Sequence, residues 1–207
     1  MDTSSNGDAD GDADVRLRAY EPDDEAALWA LKERFERELG ALGGEEKSAA
    51  YDGKLTAAYE RRYREWVTRC TEREPGCVIV AERDDKDRNK TGTGDDGNDW
   101  NATGTDVSDE GDANNGTDAL AGYVFVLPEV FSLVWDSAVV NELYVREVFR
   151  GTGVADTLIG SALDHARGQD LPLRRVVLDV DPGNERARAF YRRHSFENWS
   201  EMVAREL

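Results

Sequence analysis

Apolar and polar positions first alternate over residues 15–20 (VRLRAY), the pattern of a half-buried strand. The period then lengthens. Pro22-Asp23-Asp24 opens a helix whose apolar face is Leu28, Leu31, Phe35 and Leu39, with Gly40 as its stop. A second helix is predicted from about 54 to 73, with the stripe Leu55, Tyr59, Tyr63, Trp66 and Cys70; Pro75-Gly76 ends it. Residues 77–82 (CVIVAE) and the stretch from 119 (ALAGYVFVL) read as strands. Residues 139–145 (VVNELYV) form another, with Val139, Asn141, Leu143 and Val145 on one face and Val140, Glu142 and Tyr144 on the other. A glycine-rich turn leads into a helix over 155–167, with Leu158, Ile159, Ala162, Leu163 and Ala166 on its apolar face. A strand over 175–180, a Pro182-Gly183 turn, a short helix over 184–194 and a last strand over 196–205 complete the pattern. The predicted order is βααβ-ββαβαβ, an α/β (α+β) domain with a mixed sheet.

Between the strands at 77–83 and 119–127 lie 35 residues of Asp, Gly, Asn and Thr, with Trp100 as the one large apolar side chain. A stretch this long and polar is expected to be a disordered insertion at a hairpin turn, where added length costs little closure entropy. Residues 1–14 have no periodicity and are expected to be a disordered tail. Asn6, Asp8, Asp10 and Gly11 match half of a calcium loop, but its twelfth position is Leu17 and lacks the bidentate carboxylate. The organisation is therefore a tail over 1–14 and a single domain over 15–207 carrying the 84–118 insertion.

Charge changes the picture in one respect. Of the formal net charge of −18, the tail carries −5 and the insertion −8, leaving −5 for the remaining 158 residues. Phosphate backbones would be repelled by such a chain, so nucleic acid is not an expected partner, although a basic pocket is still compatible with it. Arg outnumbers Lys 21 to 5, and Asp, at 24, exceeds Glu. That bias resembles proteins of salt-in halophilic archaea; an acidic protein with arginine-rich codon usage is the other reading. Cys70 and Cys77 make neither a disulfide framework nor a metal set, and no metal is expected. The acidic N-terminal sequence lacks an apolar stretch, and the apolar run over 119–135 is interrupted by Pro128 and Glu129. A cytoplasmic protein without membrane contact is expected.

The chemistry concentrates in Arg150-Gly151-Thr152-Gly153-Val154-Ala155, between a strand and a helix. Two glycines allow a tight turn and close approach to a ligand. The following helix offers unpaired N–H groups and the positive end of its dipole, so the segment suits a phosphate or pyrophosphate. Arg150 would add charge-assisted hydrogen bonds. A P-loop would need Lys-Ser/Thr after the second glycine, where Val154-Ala155 stand. A dinucleotide fingerprint would need a third glycine, where Asp156 stands.

This segment resembles the pyrophosphate loop of the GNAT superfamily of N-acetyltransferases, (Gln/Arg)-x-x-Gly-x-(Gly/Ala), on Arg150, Gly153 and Ala155, and it follows an ELYV strand end. The family's second block resembles Asn184, Ala187, Phe190-Tyr191 and Ser195-Phe196, with Ser195 in place of the usual glycine. The resemblance is firm over about 138–197 and compatible in order from Val15 onward. It implies a GNAT-like, mostly antiparallel twisted sheet flanked by helices. It also implies acetyl-CoA as co-substrate and direct attack of an amine on the thioester.

By the same resemblance, Leu143, Tyr144 and Val145 would hold the pantetheine arm through their backbone. The amides of Arg150, Gly151, Thr152, Gly153, Val154 and Ala155 would hold the pyrophosphate, and Asn184 would contact the coenzyme. Tyr191 would protonate the leaving thiolate. Glu142 or Asp179 would be the base that accepts the amine proton. Asp181 reads as turn chemistry before Pro182, and His165 and His194 as solvated or capping side chains. The acceptor groove is expected from residues 24–73 and 128–137, with Tyr59, Tyr63 and Trp66 lining part of it. The acceptor is expected to be a primary amine: a protein N-terminus, a lysine or a small molecule. A non-catalytic acyl-CoA-binding sensor or partner subunit of the same fold is the alternative, and homodimer formation is left open.

Overall fold

The computed structural model describes residues 15–83 and 119–205. The acidic tail with its half calcium loop, and the 84–118 insertion with Trp100, lie outside the described residues. Five strands lie side by side in chain order: β1 (Val15–Ala19), β2 (Val78–Arg83), β3 (Leu120–Val126), β4 (Ala138–Val145) and β5 (Val176–Val177). The first four are antiparallel, and β5 is parallel to β4. This is the α/β domain with a mixed sheet that the pattern predicts, mostly antiparallel as the family resemblance implies. β2 and β3 are direct neighbours, and Arg83 N donates to Ala119 O at 3.1 Å, so the insertion joins the two strands of a hairpin.

The helices are α1 (Glu25–Ala41), α2 (Gly44–Lys54), α3 (Ala57–Arg73), α4 (Val154–Arg167) and α5 (Glu185–Arg193). Apolar side chains at three- and four-residue spacing put α1 and α3 on one face of the sheet. There Leu28, Leu31, Tyr63, Val67 and Cys70 pack with Val78, Val80, Tyr123 and Phe125. On the other face Leu158, Ile159 and Ala162 of α4 pack with Ala81, Ala121, Val124 and Val126, and Phe190 and Tyr191 of α5 join them. Every side chain of β3 is buried, as befits the central strand between two helical layers. Each large aliphatic side chain so buried stabilises the fold by roughly 1.5–3 kcal/mol.

Four features differ from the pattern-based expectation. Helix α2 is additional: it buries no side chain and so carries no stripe to read. Its residues form a helix because Glu45 and Glu46 sit in the first turn and Lys54 in the last, matching the helix dipole. Helix α3 accordingly starts at Ala57, where Thr56 caps it by accepting a hydrogen bond from Tyr59 N. Gly40 lies inside α1 rather than ending it. A Cβ there would come within 2.8 Å of Tyr51 Cβ, so glycine is what lets α2 lie against α1. At the far edge, β5 is two residues long, and residues 196–205 form no strand.

The fourth difference is a register shift in β4. Phe125 pairs with Glu142 but the next residue, Val126, pairs with Val140. The extra residue is Asn141, which is exposed. This bulge breaks the strict alternation, so Val140 joins Leu143 and Val145 on the α4 face, while Glu142 and Tyr144 face α1.

Candidate active site

The β4–β5 edge is where the sheet opens. Only Ala138 and Val139 pair with Val176 and Val177; β4 continues to Val145 while β5 stops. Among the described residues, the backbone of 140–145 on that side thus has no strand partner. Immediately beyond, the chain turns through Gly151 (φ 81°) and Gly153 (φ 83°), both left-handed, and Gly153 is the N-cap of α4. Among the described residues nothing lies within 4 Å of where a Cβ would stand at either glycine. Glycine is needed here for the backbone angle, and the space above it is open. Thr152 braces the turn by donating to Phe149 O at 2.7 Å. The first-turn amides of α4, from Val154 and Ala155 onward, have no intrahelical acceptor, so an open, electropositive cradle adjoins the divergent strand edge.

Arg150 is placed differently from the simplest expectation. Its guanidinium forks onto Glu38 of α1 (2.7 and 2.6 Å), and its Nε donates to Val145 O at 2.9 Å. Tyr144 OH donates to the same Glu38 carboxylate at 2.7 Å. Burial, then Glu38, pushes the Tyr144 phenol up to about 12. Arg150 therefore ties the strand end, the loop and α1 together.

Glu142 lies on the α1/α3 side of β4 and is 4% exposed. Its carboxylate accepts four hydrogen bonds: from Lys32 Nζ (2.7 Å) and Asn141 Nδ2 (3.1 Å) on one oxygen, and from Tyr63 OH (2.8 Å) and Tyr123 OH (2.7 Å) on the other. Lys32 also reaches Glu36 at 2.7 Å. Burial works against the Lys32 ammonium, but Glu142 and Glu36 more than offset it, so Lys32 holds its proton more tightly than an ordinary lysine. Burial alone would raise Glu36; Lys32 and Lys54 reverse that and hold it below the usual carboxylate range.

The remaining expected residues lie in and around α4 and α5. Tyr191 packs edge-on against Phe190 and Phe196, with centroids 5.3 and 5.6 Å away, on the α4 face. Burial pushes its phenol up to about 12. Asn184 caps α5 by accepting from Ala187 N at 3.0 Å. Asp179 is exposed and pairs with no side chain among the described residues. Asp181 holds the turn by accepting from Gly183 N and pairs with Lys47 of α2. His194 and Arg193 both reach Asp156 in the first turn of α4 (2.8 and 3.0 Å), joining the two blocks of the motif. His165 pairs with Glu74 at 2.7 Å.

The structure brings Leu143, Tyr144, Val145, Arg150 and the glycine loop together. It does not bring Glu142 and Tyr191 onto one face of the sheet. Lys32, Glu36, Glu38, Tyr63 and Tyr123 escaped sequence reasoning as a polar cluster. A signal existed for two of them: Lys32 follows Leu28 by four residues and precedes Glu36 by four, which sets a charged pair on the buried stripe. Of the three expected groove aromatics, Tyr63 is buried, Trp66 packs on Phe125 with centroids 4.9 Å apart, and Tyr59 is half-buried with its hydroxyl on Glu36.

The model of the acetyltransferase (GNAT) family matches residues 42–196, most of the chain and all of the opened edge, loop and α5. The chain belongs to the GNAT acetyltransferase family. Solved structures with the GNAT-like fold of this chain include PH1933 from Pyrococcus horikoshii OT3, with TM-score 0.53 and 18% identity over 91% of this chain and 92% of that one. AAC(6')-Iy, solved in complex with the bisubstrate analogue CoA-S-monomethyl-acetylneamine, gives 0.56 and 11% over 93% and 97%. The ribosomal-protein-alanine N-acetyltransferase from Brucella melitensis biovar Abortus 2308 gives 0.51 and 16% over 93% and 99%. At these identities the likeness is one of fold. No match was found among curated protein sequences. Among the described residues no helix is long and apolar enough to cross a membrane, and no group of three metal-ligating side chains occurs.

Proposed function

We propose that this GNAT protein is an acetyl-CoA-dependent N-acetyltransferase that moves an acetyl group to a primary amine by direct attack. The observation that carries the reading is the divergence of β4 from β5 beside the Gly151–Gly153 cradle at the start of α4. A free strand edge offers peptide groups to a pantetheine amide, and the cradle's amides suit a pyrophosphate. On this reading the backbone of Leu143, Tyr144 and Val145 takes the arm, residues 150–155 take the pyrophosphate, and Asn184 borders the coenzyme. The CoA complex of AAC(6')-Iy is consistent with such a site on this fold.

The reaction needs four moves. The amine nitrogen bonds the thioester carbonyl carbon, the carbon–sulfur bond breaks, the nitrogen loses a proton and the thiolate gains one. A backbone N–H near the carbonyl would stabilise the oxyanion. Tyr191, whose phenol burial keeps protonated, is the candidate donor of the thiolate's proton. Glu142 and Asp179 are the candidate bases. Glu142 is on the bulged strand but fully engaged, and Asp179 is exposed and pairs with no side chain among the described residues. A reaction using Glu142 and Tyr191 together would run through the β4–β5 opening.

The four donors on Glu142 also favour a second reading, a non-catalytic acyl-CoA-binding subunit. Thiol release from acetyl-CoA decides between them, assayed with a panel of primary amines, an N-terminal peptide and a lysine peptide. Release with any of them supports the transferase. Saturable acetyl-CoA binding without release supports the subunit.

The reading includes a cytoplasmic, salt-rich setting, supported by 24 Asp against 5 Lys. It is tested by stability in dilute buffer against molar KCl, where equal stability counts against it. Homodimer formation, left open by the sequence, is decided by sedimentation of the full chain.

A further inference from the structure

Helix α2 ends with Lys54, and its ammonium is held in an unusual way. Lys54 Nζ lies 2.6 Å from Glu36 Oε2, 4.1 Å from the centroid of the Tyr51 ring and 5.7 Å from that of Tyr59. Tyr59 OH donates to the other Glu36 oxygen at 3.0 Å, which fixes both the ring and the carboxylate. A carboxylate with two aromatic faces is the chemistry that recognises a primary ammonium. The Glu36 side chain is only 4% exposed, whereas that of Lys54 is 37% exposed, so the occupant enters from solvent. Glu36 shares Lys32 with Glu142 of β4, at 2.7 Å on each side, so the cage is two ion pairs from the strand that borders the opening.

We propose that Glu36, Tyr51 and Tyr59 form a subsite for an alkyl-ammonium group, filled by Lys54 in the free protein, and that the acceptor is a diamine-type small molecule whose far ammonium takes Lys54's place. This rests on the acetyltransferase reading for the fate of the other amine, but the cage itself does not. Exchange of one ammonium for another keeps the charge balance of the buried Lys32–Glu36–Glu142 group. The released Lys54 returns to water at the exposed end of a helix that buries no side chain. One ammonium in the cage leaves the second amine of the same molecule free to react, so a diamine is favoured over a monoamine as acceptor.

The test is calorimetric titration of 1,4-diaminobutane into the full chain. The variants are Lys54→Ala, Lys54→Ala with Glu36→Gln, and Lys54→Ala with Tyr51→Leu; the last leaves the Lys32 group intact and so guards against a folding defect. Emptying the cage by Lys54→Ala is expected to tighten binding by about tenfold or more, and either second substitution to cancel the gain. Equal affinity in wild type and Lys54→Ala overturns the subsite, as does a gain that survives both second substitutions. Nα-acetyl-lysine N-methylamide is titrated in parallel. Binding of the diamine at least as tight as that of the lysine derivative supports a free diamine, and clearly tighter binding of the lysine derivative overturns that part. Thiol release is recorded in parallel samples of the same proteins and amines with acetyl-CoA added. Cage-dependent binding without release overturns the transferase reading alone; release without Lys54-dependent affinity overturns the cage alone.

Discussion

Lys32 stands between Glu142 and Glu36, 2.7 Å from an oxygen of each, with all three side chains almost fully buried. Two carboxylates cannot share that space without the cation, because each would lose hydration with nothing to replace it. Lys32→Met keeps the length and removes the charge. It is expected to destabilise the fold by about 3–5 kcal/mol, the cost of breaking a buried ion pair by removing one partner. Urea denaturation measures this. A loss under about 1 kcal/mol, the range of exposed pairs, would show that the cluster is solvated.

Glu38 competes with any phosphate for Arg150. Both side chains reach solvent, so the pair contributes at most about 1 kcal/mol to stability. Its expected effect is on binding: Glu38→Gln frees the guanidinium and removes a negative charge beside the cradle. Acetyl-CoA affinity should rise by roughly two- to fivefold at low salt, and the gain should shrink as salt screens it. Unchanged affinity at low salt would mean that the co-substrate does not approach Arg150.

Buried tyrosines, Tyr59, Tyr144 and Tyr191 among them, set the alkaline limit. Tyr59, Tyr144 and Tyr191 ionise near 10 when unfolded, but burial, joined at Tyr59 and Tyr144 by a neighbouring carboxylate, holds each phenol's proton to about 12 in the fold. Their contribution is complete below pH 10 and is lost as the pH rises from 10 to 12. On the acid side, hydrogen bonds from Arg18 and then Arg16 hold Glu82 down at about 2, against an ordinary 4.5. That contribution is complete above pH 4.5 and is lost as the pH falls toward 2. The melting temperature should therefore fall between pH 10 and 12 and again below 4.5. A flat profile between pH 10 and 12 would contradict the tyrosine assignment.

What the sequence makes legible follows the physics of each element. The loop and its glycines are readable because a left-handed turn before a helix demands glycine, and Gly151 and Gly153 are both left-handed. The two faces of the sheet are readable because α1, α3 and α4 carry apolar stripes. Helix α2 is not, because nothing in it is buried. The Asn141 bulge is not, because alternation of VVNELYV looks regular until pairing with β3 shifts the register. The surroundings of Glu142 are assembled by α1, α3, β3 and β4, from residues up to 110 positions apart, so no local pattern announces them. The brevity of β5 and the absence of a strand over 196–205 are likewise tertiary outcomes, which the local pattern of either stretch does not announce.

The central claim is that the Gly151–Gly153 cradle and the opened β4 edge bind an acyl-CoA. Calorimetric titration of acetyl-CoA into the wild type and into Gly153→Trp tests it most directly. An indole at a φ of 83° strains the backbone and fills the space above the α4 amides, where no described residue lies within 4 Å of the Cβ position. Saturable one-to-one binding in the wild type, lost in a Gly153→Trp protein with native circular dichroism, is the predicted result. Equal binding by both proteins, or none by a folded wild type, would contradict it.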